Sequence, residues 1–167
     1  DGFQNEDKFI NTEDKVAIIN QLGEAGVAAI EATSFVHPKA VPQMADAEQV
    51  MNAIKRYPGT KYEVLVPNLK GAERAIAVQP DQLNLVVSAS ESHNLSTLRR
   101  GTFETLKEFY EVVNLAVKNN IQVSGGIATS FGCPFEGIIP INRLLDVVGK
   151  YVDMGIHSIV LADTTGM

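Results

Sequence analysis

Apolar and polar positions along the chain fall into two alternating rhythms. Thr12-Glu13-Asp14-Lys15 reads as a helix N-cap with acidic residues in the first turn, and Val16, Ile18, Ile19 and Leu22 follow at helical spacing. Gly23 and Gly26 close that helix, and the apolar run 27–32 predicts a short buried strand. The same succession then repeats. Helices are predicted over 46–56, 69–78, 103–119 and 141–154, and strands over 62–66, 82–88, 121–128 and 157–162. Pro58-Gly59 and Pro67-Asn68 punctuate the first two of these elements. The chain is therefore a helix-then-strand unit repeated five times, beginning at what would be the tip of a first strand.

Strict alternation of this kind implies a parallel sheet with helices outside it, an α/β fold. A doubly wound sheet would announce itself by a Gly-rich phosphate turn after its first strand, and none is present. Polar residues instead fall after successive strands, the arrangement of a TIM (β/α)8 barrel, whose chemistry sits on that face. A full barrel needs about 250 residues. The 167 residues are thus expected to form a partial barrel, from the tip of strand 1 through strand 6, as one domain over 1–167.

Composition narrows the partners. With 14 Lys and Arg against 20 Asp and Glu, the net charge of −6 leaves no basic stripe for phosphates, so no nucleic acid partner is expected. No apolar run approaches the roughly 20 residues needed to cross a bilayer, so no membrane partner is expected either. The single Cys133 excludes an intrachain disulfide. The opening at Asp1-Gly2-Phe3-Gln4 and the stop after Asp163-Thr164-Thr165-Gly166-Met167 both read as cut ends.

Residues at strand ends can be both rigidly held and open to solvent. They are Asp1 and Gln4, Glu31 and Ser34, Asn68, Ser88, Ser90 and Glu91, Thr129 and Ser130, and Asp163 and Thr164. If the ring closes, Asp1, Glu31 and Asp163 would point into one mouth, where a divalent cation or an Arg would offset their repulsion. Asp163 serves equally well as a helix cap, and Asp1 alone would be a solvated terminus. Glu31 is harder to dismiss, because a carboxylate inside Ala-Ala-Ile-Glu-Ala-Thr should be partly buried, and a buried Glu is rare unless paired. His37, His93 and His157 lack a short metal-binding spacing: the first two read as loop residues and the third as the start of the last strand. Cys133, with neither base nor ligand partner nearby in sequence, reads as a packed thiol.

Several stretches together resemble the hydroxymethylglutaryl-CoA lyase family of the DRE-TIM metallolyase superfamily. They are Asp1-Gly2-Phe3-Gln4-Asn5-Glu6, Ile30-Glu31-Ala32-Thr33-Ser34-Phe35-Val36 with Val41-Pro42-Gln43-Met44, Pro67-Asn68-Leu69-Lys70-Gly71, Ser88-Ala89-Ser90-Glu91, Gly132-Cys133-Pro134-Phe135-Glu136-Gly137 and Asp163-Thr164-Thr165-Gly166. The resemblance implies a Mg²⁺- or Mn²⁺-dependent barrel that splits 3-hydroxy-3-methylglutaryl-CoA into acetyl-CoA and acetoacetate. Asp1 matches the family's aspartate metal ligand, Gln4 a polar residue at the substrate, Glu31 the mouth glutamate that pairs with a catalytic Arg, and Asp163 an aspartate near the reacting hydroxyl. Lys39, Arg99 and Arg100 are candidates for the phosphates of an acyl-CoA substrate. The family's Arg before Asp1, its His-x-His and Asn ligands and its Cys-bearing loop have no counterpart in these residues, so the 167 residues alone are expected to be inactive. The stretch 95–101 departs from the family pattern.

A lyase for a longer 3-hydroxy-3-alkylglutaryl-CoA would share every one of these motifs. The Thr-Ser-Phe-Val stretch disfavours a condensing enzyme or an aldolase acting on 2-oxo acids. From a different class, a non-catalytic half-barrel would expose sheet edges to a partner or to a second copy in a homodimer. The family resemblance implies the cytoplasm for a bacterial protein and the mitochondrial matrix for a eukaryotic one.

Overall fold

A computed structural model describes residues 2–167. After a 3₁₀ turn at Phe3–Asn5 the elements run α1 (Thr12–Glu24), β1 (Ala29–Ser34), α2 (Ala47–Ala53), β2 (Lys61–Leu65), α3 (Leu69–Ile76), β3 (Gln82–Ser88), α4 (Glu91–Leu98), α5 (Thr102–Lys118), β4 (Gln122–Ala128), the short pair β5 (Gly132–Cys133) and β6 (Gly137–Ile138), α6 (Ile141–Asp153) and β7 (Ile159–Leu161). A second 3₁₀ turn, Pro42–Met44, lies between β1 and α2. The strands β1-β2-β3-β4-β7 pair in that order, all parallel, while β5 and β6 form a separate antiparallel pair. This is the α/β architecture of a partial barrel.

Side-chain alternation along the strands sorts two faces. On β3, Leu83, Leu85 and Val87 are buried toward the helices, whereas Gln82, Asn84 and Val86 are half-buried on the opposite, concave face. Tyr62, Val64 and Ile127 extend the helix-facing layer, which packs with Val50, Ala72, Phe109, Val112 and Val147 in one apolar core. Full burial of one such Leu or Val contributes roughly 1.5–3 kcal/mol. Tyr151 is buried in the same core, and its hydroxyl lies within hydrogen-bonding reach of the carbonyls of Leu85 (2.9 Å) and Gly126 (3.1 Å). Burial pushes that phenol well above the ordinary tyrosine range.

Four local expectations are corrected. The cap of α1 is Asn11, whose Oδ1 accepts from Asp14 N at 2.8 Å, because the Thr12 hydroxyl is spent on Asp46 at 2.8 Å. The first strand begins at Ala29 rather than at residue 27, because Val27 N closes the end of α1 on Leu22 O at 3.2 Å. Helix α2 stops at Ala53, since Lys55 N turns to Asn20 Oδ1 (2.7 Å) and Tyr57 N to the Tyr62 hydroxyl (3.1 Å). His93 belongs to helix α4 and not to a loop, and Ser90 Oγ caps that helix by accepting from His93 N at 3.1 Å.

Candidate active site

The concave face of the sheet encloses a cavity of about 350 Å³ lined by Glu31, Glu63, Gln82, Asn84, Ser124 and Ala162, among others. Its residues come from β1, β2, β3 and β4, from Val160 of β7 and from the residues on either side of β7, so the sheet brings together side chains that are distant in sequence. Asn84 is the hub. Its Nδ2 donates to Glu31 Oε2 at 2.7 Å and to Glu63 Oε2 at 3.1 Å, while its Oδ1 accepts from Ser124 Oγ at 2.7 Å and from Gln82 Nε2 at 2.9 Å. One amide thus sits between two carboxylates and two neutral donors, with its nitrogen turned to the negative side. Glu31 is half-buried, and it occupies the third position of six in β1. The expectation that it sits at a strand end gives way to a place inside the lumen, because β1 runs on to Ser34, two residues past the expected end.

At the C-terminal ends of the strands a second set of polar groups stitches the rim. Ser88 Oγ and Thr129 Oγ1 are 2.6 Å apart, and Thr129 N donates to Thr164 Oγ1 at 2.9 Å, which links β3 to the residues after β4 and β7. Thr129 has φ +52°, the left-handed region that a β-branched residue rarely adopts. Three polar partners in a fully buried setting hold it there: Ser88 Oγ, Thr164 Oγ1 and Ser90 N, the last donating to its hydroxyl at 3.3 Å. Ser34, at the end of β1, is also buried, and its Oγ makes no hydrogen bond among the described residues.

Asp163 is exposed and follows Ala162, which lines the cavity, and its Oδ1 accepts from Met167 N at 3.1 Å. In this structure it therefore caps the closing turn. Gln4 is half-buried in the first 3₁₀ turn, on a segment tied to the loop after β1 by Gln43 Nε2 donating to Glu6 O at 2.7 Å. The expected metal ligand Asp1 lies outside the described residues. Among the described residues, no group of three or more His, Cys, Asp or Glu side chains comes together in a way that could hold a metal. They do not by themselves supply a ligand set for the implied cation.

A larger cleft, about 670 Å³, opens beside the rim and is lined by His37, Lys39, Asn68, Arg99 and Arg100 among others. The basic residues singled out in the sequence thus share one cleft. Arg100 is already engaged there by an ion pair with Glu108, whose other oxygen accepts from Leu69 N at 3.1 Å. Glu136 of the β5–β6 turn accepts from Ser92 N at 2.7 Å and pairs with Arg143 at 2.6 Å. The bond from the Ser92 amide, helped by the Ser92 and Ser90 hydroxyls and by Arg143, holds the Glu136 carboxyl down at about 2 despite partial burial. Cys133 is buried, as a packed thiol should be. Burial pushes it up, but the Ser90 hydroxyl and the Phe135 and Glu136 amides outweigh that and leave it below the ordinary thiol range.

Glu63, Gln82, Asn84 and Ser124 escaped the sequence reading. The signal that would have found the first three is alternation, since Lys61 and Glu63 of β2 and Gln82 and Asn84 of β3 stand opposite the buried Tyr62, Val64, Leu83 and Leu85.

The HMGL-like family model matches residues 1–167. Among curated proteins, the mitochondrial hydroxymethylglutaryl-CoA lyase of Macaca fascicularis is 40% identical over the whole chain, which covers 51% of that relative. Hydroxymethylglutaryl-CoA lyase YngG of Bacillus subtilis is 40% identical over 99% of the chain, covering 56% of its length. A solved HMG-CoA lyase from Acinetobacter baumannii, in complex with coenzyme A and 3-methylmalate, superposes with a TM-score of 0.96 at 45% identity, over 100% of this chain and 54% of that one. The chain spans about half the length of the curated relatives it matches. On the match of its entire length to one family model, the chain belongs to the HMGL-like family.

Proposed function

We propose that this chain forms the substrate-facing part of a carbon–carbon lyase that cleaves 3-hydroxy-3-methylglutaryl-CoA to acetyl-CoA and acetoacetate. The observation that carries this reading is full-length similarity, at about 40% identity, to proteins named for that activity. A carboxylate at Glu31 in the lumen and a basic cleft at the rim support it.

In the reaction a base removes the proton of the tertiary hydroxyl. The new C=O forms as the adjacent C–C bond breaks, acetoacetate departs, and the electron pair passes into the thioester enolate, which takes up a proton to become acetyl-CoA. Asp163, next to the cavity-lining Ala162, takes the role nearest the reacting hydroxyl in this reading. Glu31 orients the cationic partner that steadies negative charge, and Gln4 hydrogen-bonds the substrate. A divalent cation, Mg²⁺ or Mn²⁺, with Asp1 as one of its ligands, would lower the pKa of the substrate hydroxyl. Lys39 and Arg99 face the phosphates of the acyl-CoA, with Arg100 held beside them by Glu108. The compartment follows the source, cytoplasm for a bacterial protein and mitochondrial matrix for a eukaryotic one.

The test is product analysis of the complete protein incubated with 3-hydroxy-3-methylglutaryl-CoA and Mg²⁺. Equal amounts of acetoacetate and acetyl-CoA are expected. A folded protein that releases neither overturns the reading, and faster cleavage of a longer 3-alkyl homologue transfers it to the related lyase.

A further inference from the structure

We infer that the buried ion pair Lys15–Asp46 is a positioning device that fixes residues 2–10, and with them Gln4, against the loop that follows the Glu31 strand. This inference rests on the proposed lyase reading for its catalytic consequence but not for its structural one.

Lys15 is 3% exposed and Asp46 is 6% exposed, so both charges have been taken out of water, which is costly unless each is fully satisfied. They are. Lys15 Nζ donates to Asp46 Oδ1 at 2.6 Å and to the Gln43 carbonyl at 2.5 Å, and it lies 4.5 Å from the centroid of the Phe9 ring. The second oxygen of Asp46 accepts from the Thr12 hydroxyl at 2.8 Å. The five residues of this cluster come from four pieces of chain. Phe9 is in the opening segment, Thr12 and Lys15 are in α1, Gln43 is in the 3₁₀ turn after β1, and Asp46 precedes α2.

Gln43 closes the circuit. Its carbonyl is held by Lys15, and its side-chain amide reaches Glu6 O at 2.7 Å, immediately after the turn that carries Gln4. The opening segment is otherwise largely exposed. Within it the amides of Asn5 and Glu6 close only local bonds, to Gly2 O (3.1 Å) and Phe3 O (3.2 Å). The ammonium therefore clamps the opening segment from two sides, through the Phe9 ring and through Gln43. Replacing a buried ion pair with apolar side chains of similar volume is often neutral for stability, so orientation can be separated from folding.

The experiment compares the complete wild-type protein with Lys15→Met/Asp46→Leu and with Gln43→Ala, which removes the direct tie without emptying the core. Hydrogen exchange of the peptide covering residues 2–10, thermal midpoint, and kcat and KM for 3-hydroxy-3-methylglutaryl-CoA are read together. The expected result is faster exchange at Asn5 and Glu6 in both variants, a midpoint close to wild type, and kcat roughly 10- to 100-fold lower with a smaller change in KM, the scale of loss that a displacement of about 1 Å can cause. Unchanged exchange in a folded variant overturns the positioning role. Faster exchange with unchanged kcat in an active enzyme overturns its catalytic consequence. An inactive wild type defeats the lyase reading instead, and the exchange data still decide the clamp.

Discussion

Asn84 shows how one neutral side chain can hold a charged site together. Its amide nitrogen serves both Glu31 and Glu63, and its oxygen is occupied by Ser124 and Gln82. Glu31 stood out in the sequence because a carboxylate in the middle of an apolar run demands a reason. Asn84 and Glu63 did not, because polar residues alternating with apolar ones look like an ordinary solvated face until the sheet curves and makes that face a lumen. At the same scale, Glu136 has a predictable pH signature. Its carboxyl is lowered from 4.5 to about 2 by the Ser92 amide and its other donors, so its stabilising contribution is fully present above about 4.5 and is lost as pH falls through about 2. Glu136→Gln is therefore expected to lower the urea midpoint at neutral pH, with the gap to wild type closing as pH falls from 4.5 toward 2. A gap that is constant over that interval would show that the charge contributes nothing.

Among the elements, the long periodic helices and β3 were legible because an apolar stripe fixes them, and β3 falls on 82–88 as the alternation predicts. Helix α4 was not, since Glu91-Ser-His-Asn-Leu-Ser-Thr-Leu carries almost no apolar stripe. Two contacts distant from that pattern stabilise it: the Ser90 cap, and Asn94, whose side chain accepts from Ser88 N at 2.9 Å and donates to Thr105 Oγ1 at 3.0 Å. The β5–β6 pair is too short for any periodicity to register. Where α3 meets the end of β1, spacing depends on one glycine. A Cβ at Gly71 would lie 2.6 Å from the Phe35 carbonyl oxygen, and backbone cannot give way as a flexible side chain can. Gly71→Ala should cost about 1–3 kcal/mol of unfolding free energy, measured by denaturant titration. An unchanged midpoint would mean that α3 shifts outward freely.

Over the whole molecule, the strand order β1-β2-β3-β4-β7 leaves β1 and β7 at the two edges of the sheet. Ile141 (68% exposed), Leu145 (60%) and Val152 (50%) stand on α6, and Val160 (59%) of the edge strand β7 lines the open cavity. Parallel sheets are ordinarily covered on both faces, and bare edges with apolar neighbours invite pairing. The 167 residues produced alone are accordingly expected to elute above monomer size and to release no acetoacetate from the acyl-CoA. A monomeric or active preparation would contradict that. The parallel αβ succession was readable from alternation, whereas the curvature that turns one face of the sheet into a cavity is a property of strand pairing that no single stretch encodes.

The most direct measurement is steady-state turnover of 3-hydroxy-3-methylglutaryl-CoA by the complete protein and its Glu31→Ala variant, alongside their thermal midpoints. The lumen carboxylate should matter far more to kcat than to folding, so a loss of at least about 100-fold in kcat is predicted, on the scale of removing one pre-organised electrostatic group, with midpoints within a few degrees. Near-normal turnover by the variant would contradict the account.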